Sequence, residues 1–320
     1  MKIRDFFTHP LGIVLAASAA TLFWGSAFPF IKLSYQELEI GQEDLFKQIL
    51  FAGYRFVLAS LLIFLFILIL GRKVRYVPKT LPGLTRIAIF QTFLQYIFFY
   101  IGVALSTGIQ GSIISGTTSF FQILIAHFMY RNDSLSTRKV IGLLIGFLGV
   151  IVANLSKGGT YQFAFGIGEL LLLIAMFCGG LGNVLSKKEA TQMDILYMTS
   201  SQMLLGGIGL LLIGVWKEGW FPLSFTVHSF GMLIYLSFAS AGGFVLWNTI
   251  MKYNKVGRVS MYLFLIPVFG VVLSALLLQE ELHAIVFVAL VLVVAGIIIV
   301  NREKKEVEES SIELEKKVAP

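Results

Sequence analysis

The chain has 320 residues, 57% of them hydrophobic and 13% charged, with a mean hydropathy of +0.85. A soluble domain carries about 25% charged residues, so a chain of this length with half that share has too little polar surface to be soluble. The formal charge of +7 is therefore read against a membrane before nucleic acid, and the single cysteine, Cys178, excludes an internal disulfide.

At about 20 residues per span the length holds roughly ten spanning helices. Apolar segments predict them near 11–32, 48–70, 84–105, 108–130, 137–154, 166–186, 195–215, 229–251, 259–279 and 283–301. Stretches such as Leu61 to Leu70 and Val286 to Val300 are continuously apolar, where barrel strands would alternate. Lys2 and Arg4 ahead of a run holding Ala17-Ser18-Ala19 also fit a cleaved leader, but that run recurs later in the chain and is read as part of the fold.

Placing the N-terminus in the cytoplasm puts nearly every basic residue inside. The inside segments hold Lys2 and Arg4; Arg72, Lys73, Arg75, Lys79 and Arg86; Arg131, Arg138 and Lys139; Lys187 and Lys188; Lys252, Lys255 and Arg258; and the basic residues of the tail. Outside remain Lys32, Lys47, Lys157 and Lys217, and Arg55 lies within a span. This asymmetry places both termini inside, and one span more or fewer would destroy it.

The two halves match. A shift of 154 sets Phe23-Trp24-Gly25-Ser26 on Phe177-Cys178-Gly179-Gly180; from the second span onward a shift of 147 sets Arg55 on Gln202, Tyr100 on Trp247, Asp133 on Glu280 and Gly149 on Gly296. Five spans per half is an odd number, so the second half enters from the opposite side and the repeats are inverted, the usual build of secondary transporters. The expected fold is an all-α integral membrane protein, ten transmembrane helices as two inverted five-helix repeats. Residues 1–10 form a cytoplasmic N-terminus, 11–154 and 166–301 the repeats, and 302–320 a charged cytoplasmic tail.

Over residues 11–301 the chain resembles the drug/metabolite transporter superfamily, specifically its EamA-type ten-helix members. The residues that carry this are Trp24-Gly25-Ser26-Ala27-Phe28, Arg55, Pro267 within Leu265-Ile266-Pro267-Val268-Phe269, Glu280, and the glycines Gly142, Gly146, Gly149 and Gly296. The first half has Phe120 where the proline would fall and Asp133 in place of the glutamate, which predicts a fourth span less kinked than the ninth. The resemblance implies a transporter, and export rather than import.

Charge inside hydrocarbon costs about 2.5–3.5 kcal/mol on insertion scales, which singles out Arg55 and Glu169. Arg55 is read as a partner to backbone carbonyls or helix ends, or else as a ligand for a carboxylate in a cavity. Glu169, one turn inside the sixth span, is read as an interfacial residue that snorkels outward, or else as a proton-coupling carboxylate. Gln91, Gln95, Phe98 and Phe99 share a helical face, Tyr96 and Tyr100 form an adjoining stripe, and Trp247, Asn248, Asn183 and Gln202 add aromatic and amide groups. With Trp24 and Ser26 they are the candidate lining of a solute cavity, although glutamine and asparagine also serve as interhelical hydrogen bonders. The glycine runs are read as helix packing.

Catalytic motifs are missing: the four histidines are scattered, and neither HExxH nor GxSxG occurs. The expectation is a secondary transporter of a small organic solute in the cell membrane, with no cofactor, metal or nucleic acid. A polytopic enzyme acting on lipid substrates is the alternative, and a non-transporting scaffold a third.

Overall fold

The computed structural model describes residues 3–72, 78–130, 136–153, 165–292, 294–296 and 298–299. Asp133 with the loop 131–135, the basic residues Lys2, Lys73 and Arg75, the connector 154–164 and the expected tail 302–320 lie outside the described residues. A short leading helix, Ile3–Thr8, precedes the bundle. Among the described residues, eight helices are long and apolar enough to cross a membrane: α1 (Pro10–Glu37), α2 (Leu45–Ile69), α3 (Pro78–Leu105), α4 (Gly108–Met129), α6 (Ile167–Glu189), α7 (Ile195–Glu218), α8 (Val227–Tyr253) and α9 (Val256–Leu278). Two more complete the ten: α5 (Thr137–Ala153) and α10 (Ala284–Gly296), with shorter apolar stretches.

The packing follows the two halves. Helix α1 packs on α8 and α9, and α6 correspondingly on α3 and α4; α2 packs on α8, and α7 on α3. The pairs α2/α7 and α4/α9 pack each on its own counterpart. Each of these contacts has its mate when α1 to α4 are exchanged for α6 to α9, as two inverted repeats require.

Small residues let these helices close up. A Cβ on Gly53 of α2 would stand 2.6 Å from the Leu211 nitrogen of α7, and one on Gly296 of α10 2.4 Å from the Gly142 carbonyl of α5. Any side chain there would push backbones apart, which agrees with the packing role read for the glycines.

Three helices are irregular. In α3, residues Ala88–Leu94 form a π-helical turn, wider than the α-helix on either side. In α9 a 3-10 segment, Met261–Phe264, precedes Pro267. The fourth span is interrupted as well, at Gly116 between Gly108–Ser115 and Thr117–Met129, although it lacks the proline. Its source is a run of hydroxyls that bond back to the chain: Ser112 to Gly108 O (2.6 Å), Ser115 to Ser112 O (2.5 Å), Thr117 to Ile114 O (2.7 Å) and Thr118 to Ser115 O (2.8 Å). Such bonds compete with the helical ladder, while Gly116 itself keeps right-handed helical backbone angles (φ −57°, ψ −26°), so the break is a local one.

Candidate functional site

A cavity of about 50 Å³ lies where the halves meet, lined by Trp24, Ala27 and Phe28 of α1, Arg55 of α2, Gln95, Tyr96 and Phe99 of α3, Ser115 and Thr118 of α4, Met176 and Asn183 of α6, Phe244 of α8, and Leu263 and Ile266 of α9. That is room for a few waters and too little for an organic metabolite, so the helices would have to part to admit one.

Arg55 is 1% exposed. Its Nε donates to the Leu236 carbonyl (3.1 Å) and to Ser240 Oγ (2.8 Å) on α8, and its Nη1 to the Tyr100 hydroxyl (3.0 Å) on α3. The guanidinium carbon lies 5.3 Å from the Phe56 ring centroid and 5.9 Å from that of Tyr96. Among the described residues no carboxylate pairs with it. A cation held by neutral acceptors and aromatic faces beside a cavity leaves charge for an anionic group to neutralise.

Gln95 stands opposite Gly179 of α6, where a Cβ would come within 2.7 Å of the Gln95 amide nitrogen. Its Oε1 and the indole nitrogen of Trp24 are buried without hydrogen-bond partners. Two lining residues thus keep polar atoms unspent, an acceptor and a donor. The Trp24 ring is backed by Trp247 (centroids 5.6 Å apart) and Phe244 (5.1 Å).

The other amides form a chain. Ser186 Oγ donates to Gln91 Oε1 (2.9 Å), Gln91 Nε2 to Asn183 Oδ1 (2.7 Å), Asn183 Nδ2 to Gln122 Oε1 (2.8 Å), and Gln122 Nε2 to Ser260 Oγ (2.7 Å). It ties α3, α6, α4 and α9 together, and Asn183 belongs to both chain and cavity. Gln91 and Gln95 would share a face on a regular α-helix, but the wider turn over Ala88–Leu94 changes their relation. Gln91 therefore joins the chain and Gln95 the cavity.

Of the residues read from the sequence, Trp24, Arg55, Gln95, Tyr96, Phe99 and Asn183 line the cavity, and Ser26, Gln91, Phe98, Tyr100, Gln202, Trp247 and Asn248 do not. Ser26 bonds the Tyr235 hydroxyl (2.7 Å), and Asn248 donates to Thr199 Oγ1 (3.0 Å). Trp247 is fully buried behind Trp24. Glu169 does not reach outward: it is 1% exposed, and its Oε2 accepts the Gly166 N–H (2.8 Å) at the start of α6. That bond satisfies an amide that the first helical turn leaves open, and the carboxylate suits the positive end of the helix. Sequence reasoning missed Ala27, Phe28, Met176, Phe244, Leu263 and Ile266, and, on α4, Ser115 and Thr118. The hydroxyl run of α4 is the signal that could have found Ser115 and Thr118.

A multi-pass helical membrane bundle of two inverted repeats about a partly polar central cavity defines a membrane transporter. The model of the EamA-like transporter family matches residues 11–155 and again 166–302, and the chain belongs to that family. It is 29% identical over 305 residues to "Uncharacterized transporter YvbV" of Bacillus subtilis, covering 93% of this chain and 94% of that protein. It is 26% identical over 290 residues to a "Probable amino-acid metabolite efflux pump" of Escherichia coli, covering 86% of this chain and 90% of the pump. A solved crystal structure matches 94% of this chain and 100% of its own with a TM-score of 0.71 at 16% identity, a likeness of fold.

Proposed function

We propose that the protein exports a small organic metabolite bearing a carboxylate, by alternating access, with residues 11–154 and 166–301 rocking about the central cavity. The observation that carries this is the Arg55 guanidinium, buried at the cavity wall with neutral hydrogen-bond partners. A solute carboxylate takes Arg55; the Gln95 carbonyl and the faces of Tyr96, Phe99 and Phe244 take its polar and apolar remainder. Support for export and for this solute class comes from two relatives named "Probable amino-acid metabolite efflux pump", in Escherichia coli and Salmonella typhimurium. The membrane is the cell membrane, with both termini on its cytoplasmic side, as the basic loops direct.

Purified protein in liposomes, screened with labelled amino acids and other carboxylates beside nucleobases and cationic drugs, tests the reading. Carboxylate solutes are expected to cross faster than through protein-free vesicles. Transport of the cationic drugs alone would overturn the assignment of Arg55, and no transport of any solute would overturn the function.

A further inference from the structure

The helices α4 and α9 pack on each other across the cavity, which they line with Ser115 and Thr118 on one side and Leu263 and Ile266 on the other. At one end of the pair, Glu280 lies just beyond α9. Its Oε1 accepts the Gly108 N–H (2.7 Å) and its Oε2 the Ile109 N–H (2.8 Å), the first two amides of α4. Gln279 before it is left-handed, φ 55°, and ends α9. At the other end Gln122 of α4 donates to Ser260 at the start of α9 (2.7 Å).

Between these ends the seam is made of small residues. A Cβ on Gly108 would stand 2.6 Å from Ser274 Oγ, and one on Gly270 2.3 Å from Ser112 Oγ. Ser112 bonds its own helix and Ser274 Oγ has no partner. Among the described residues, then, the hydrogen bonds that join α4 to α9 sit at the two ends of the seam, with the cavity between them.

We propose that these ends are the two latches of the carrier: a carboxylate, Glu280, shuts one mouth, and the amide Gln122, with the chain through Asn183 and Gln91, holds the other, where the repeat also sets Asp133, outside the described residues. This rests on the alternating-access reading. On the proposed orientation the Glu280 mouth faces outside. The amide latch has no counterpart across the repeat, since Gln122 falls on Phe269 at the shift of 147 and Asn183 on Pro29 at the shift of 154. Two hydrogen bonds to a charged acceptor hold the Glu280 end, and releasing α9 from α4 there frees that mouth without disturbing the amides.

The test uses the full-length protein with Cys178→Ala and a reporter, Ser115→Cys, in the cavity wall. Membrane-impermeant thiol reagent is applied to intact cells and to inside-out vesicles. Glu280→Gln is expected to speed labelling from outside by about tenfold, the loss of at least one charge-assisted bond. Gln122→Leu speeds it from inside. Gly108→Ala, which wedges the seam at the Glu280 end, acts like Glu280→Gln, and Ser274→Gly in the same chain restores the parent rate, a rescue that misfolding would not give. Labelling in Glu280→Gln equal to the parent, or faster only from inside, overturns the latch alone. A parent reporter reached from neither side while solute still crosses defeats alternating access through this cavity, and the latch with it.

Discussion

Replacing Arg55 by glutamine copies into the first half the residue that the repeat places at the same position of the second, Gln202. The arginine makes three hydrogen bonds, to Leu236 O, Ser240 Oγ and Tyr100 Oη. Bonds from a charged donor contribute about 1.5–3 kcal/mol apiece, while charge at membrane depth costs about 2.5–3.5 kcal/mol. Glutamine removes both terms and is too short to span from α8 to Tyr100, so the net loss of stability is on the order of 3 kcal/mol. Thermal unfolding in detergent, followed by size-exclusion chromatography, measures it. Transport measures the other role: the ratio of rates for a carboxylate solute and its primary amide is expected to fall by at least about tenfold, the worth of one charge-assisted contact. An Arg55→Gln protein as stable as the parent would refute the bonding argument. A destabilised one that still prefers the carboxylate by the parental ratio would confine Arg55 to holding helices together.

Gly179→Val drives a side chain into the Gln95 amide and is expected to raise KM about tenfold, as loss of one solute hydrogen bond does; an unchanged KM would remove Gln95 from the binding set. Asn183→Leu strands Gln91 Nε2 and Gln122 Oε1 and should destabilise by about 1–3 kcal/mol. Combined with Gln91→Leu, the measured loss should be smaller than the sum of the single losses, because both break one chain. Glu169→Gln keeps an acceptor for the Gly166 amide, so it should cost less than about 1 kcal/mol, whereas Glu169→Leu costs about that much; a proton-gradient effect on transport that vanishes in Glu169→Gln at parental stability would instead place proton coupling there. In a Cys178→Ala chain, a cysteine at Trp220 should react in intact cells and one at Thr191 only after permeabilisation; the reverse pattern would invert the proposed orientation.

What hydropathy and charge encode was legible from the residues. Continuous apolar runs mark spans because lipid gives no alternative, and Arg55 stands out because its charge is costly at that depth. The repeat was legible through Arg55 and Gln202, which occupy matching sockets on α2 and α7. The face of α3 was not. No residue type announces a π-helical turn, and that turn separates Gln91 from Gln95, which regular spacing puts together. Nor could composition pick Phe244, Leu263 or Ile266 from the many apolar residues, because a cavity wall and a packed core use the same side chains. Glu280 was visible as a charged residue at a helix end. Its bonds to Gly108 and Ile109 depend on α4 and α9 lying side by side, which only the tertiary structure supplies.

The matching sockets differ in one respect with an energetic consequence. Gln202 accepts from Thr92 (2.6 Å) on α3, much as Arg55 bonds α8, so the same joint is neutral in one half and cationic in the other. A monocarboxylate that neutralises this one guanidinium enters the cavity as an anion and leaves as one. Across an inside-negative membrane each elementary charge moved outward is worth about 2.3 kcal/mol per 100 mV. At that voltage the potential alone sustains a roughly fifty-fold outward concentration gradient of a monoanion, since about 1.4 kcal/mol is a factor of ten. On the proposed function, a solute that is a net monoanion is thus exported electrogenically, whereas a zwitterionic amino acid, whose charges cancel, gains nothing from the voltage.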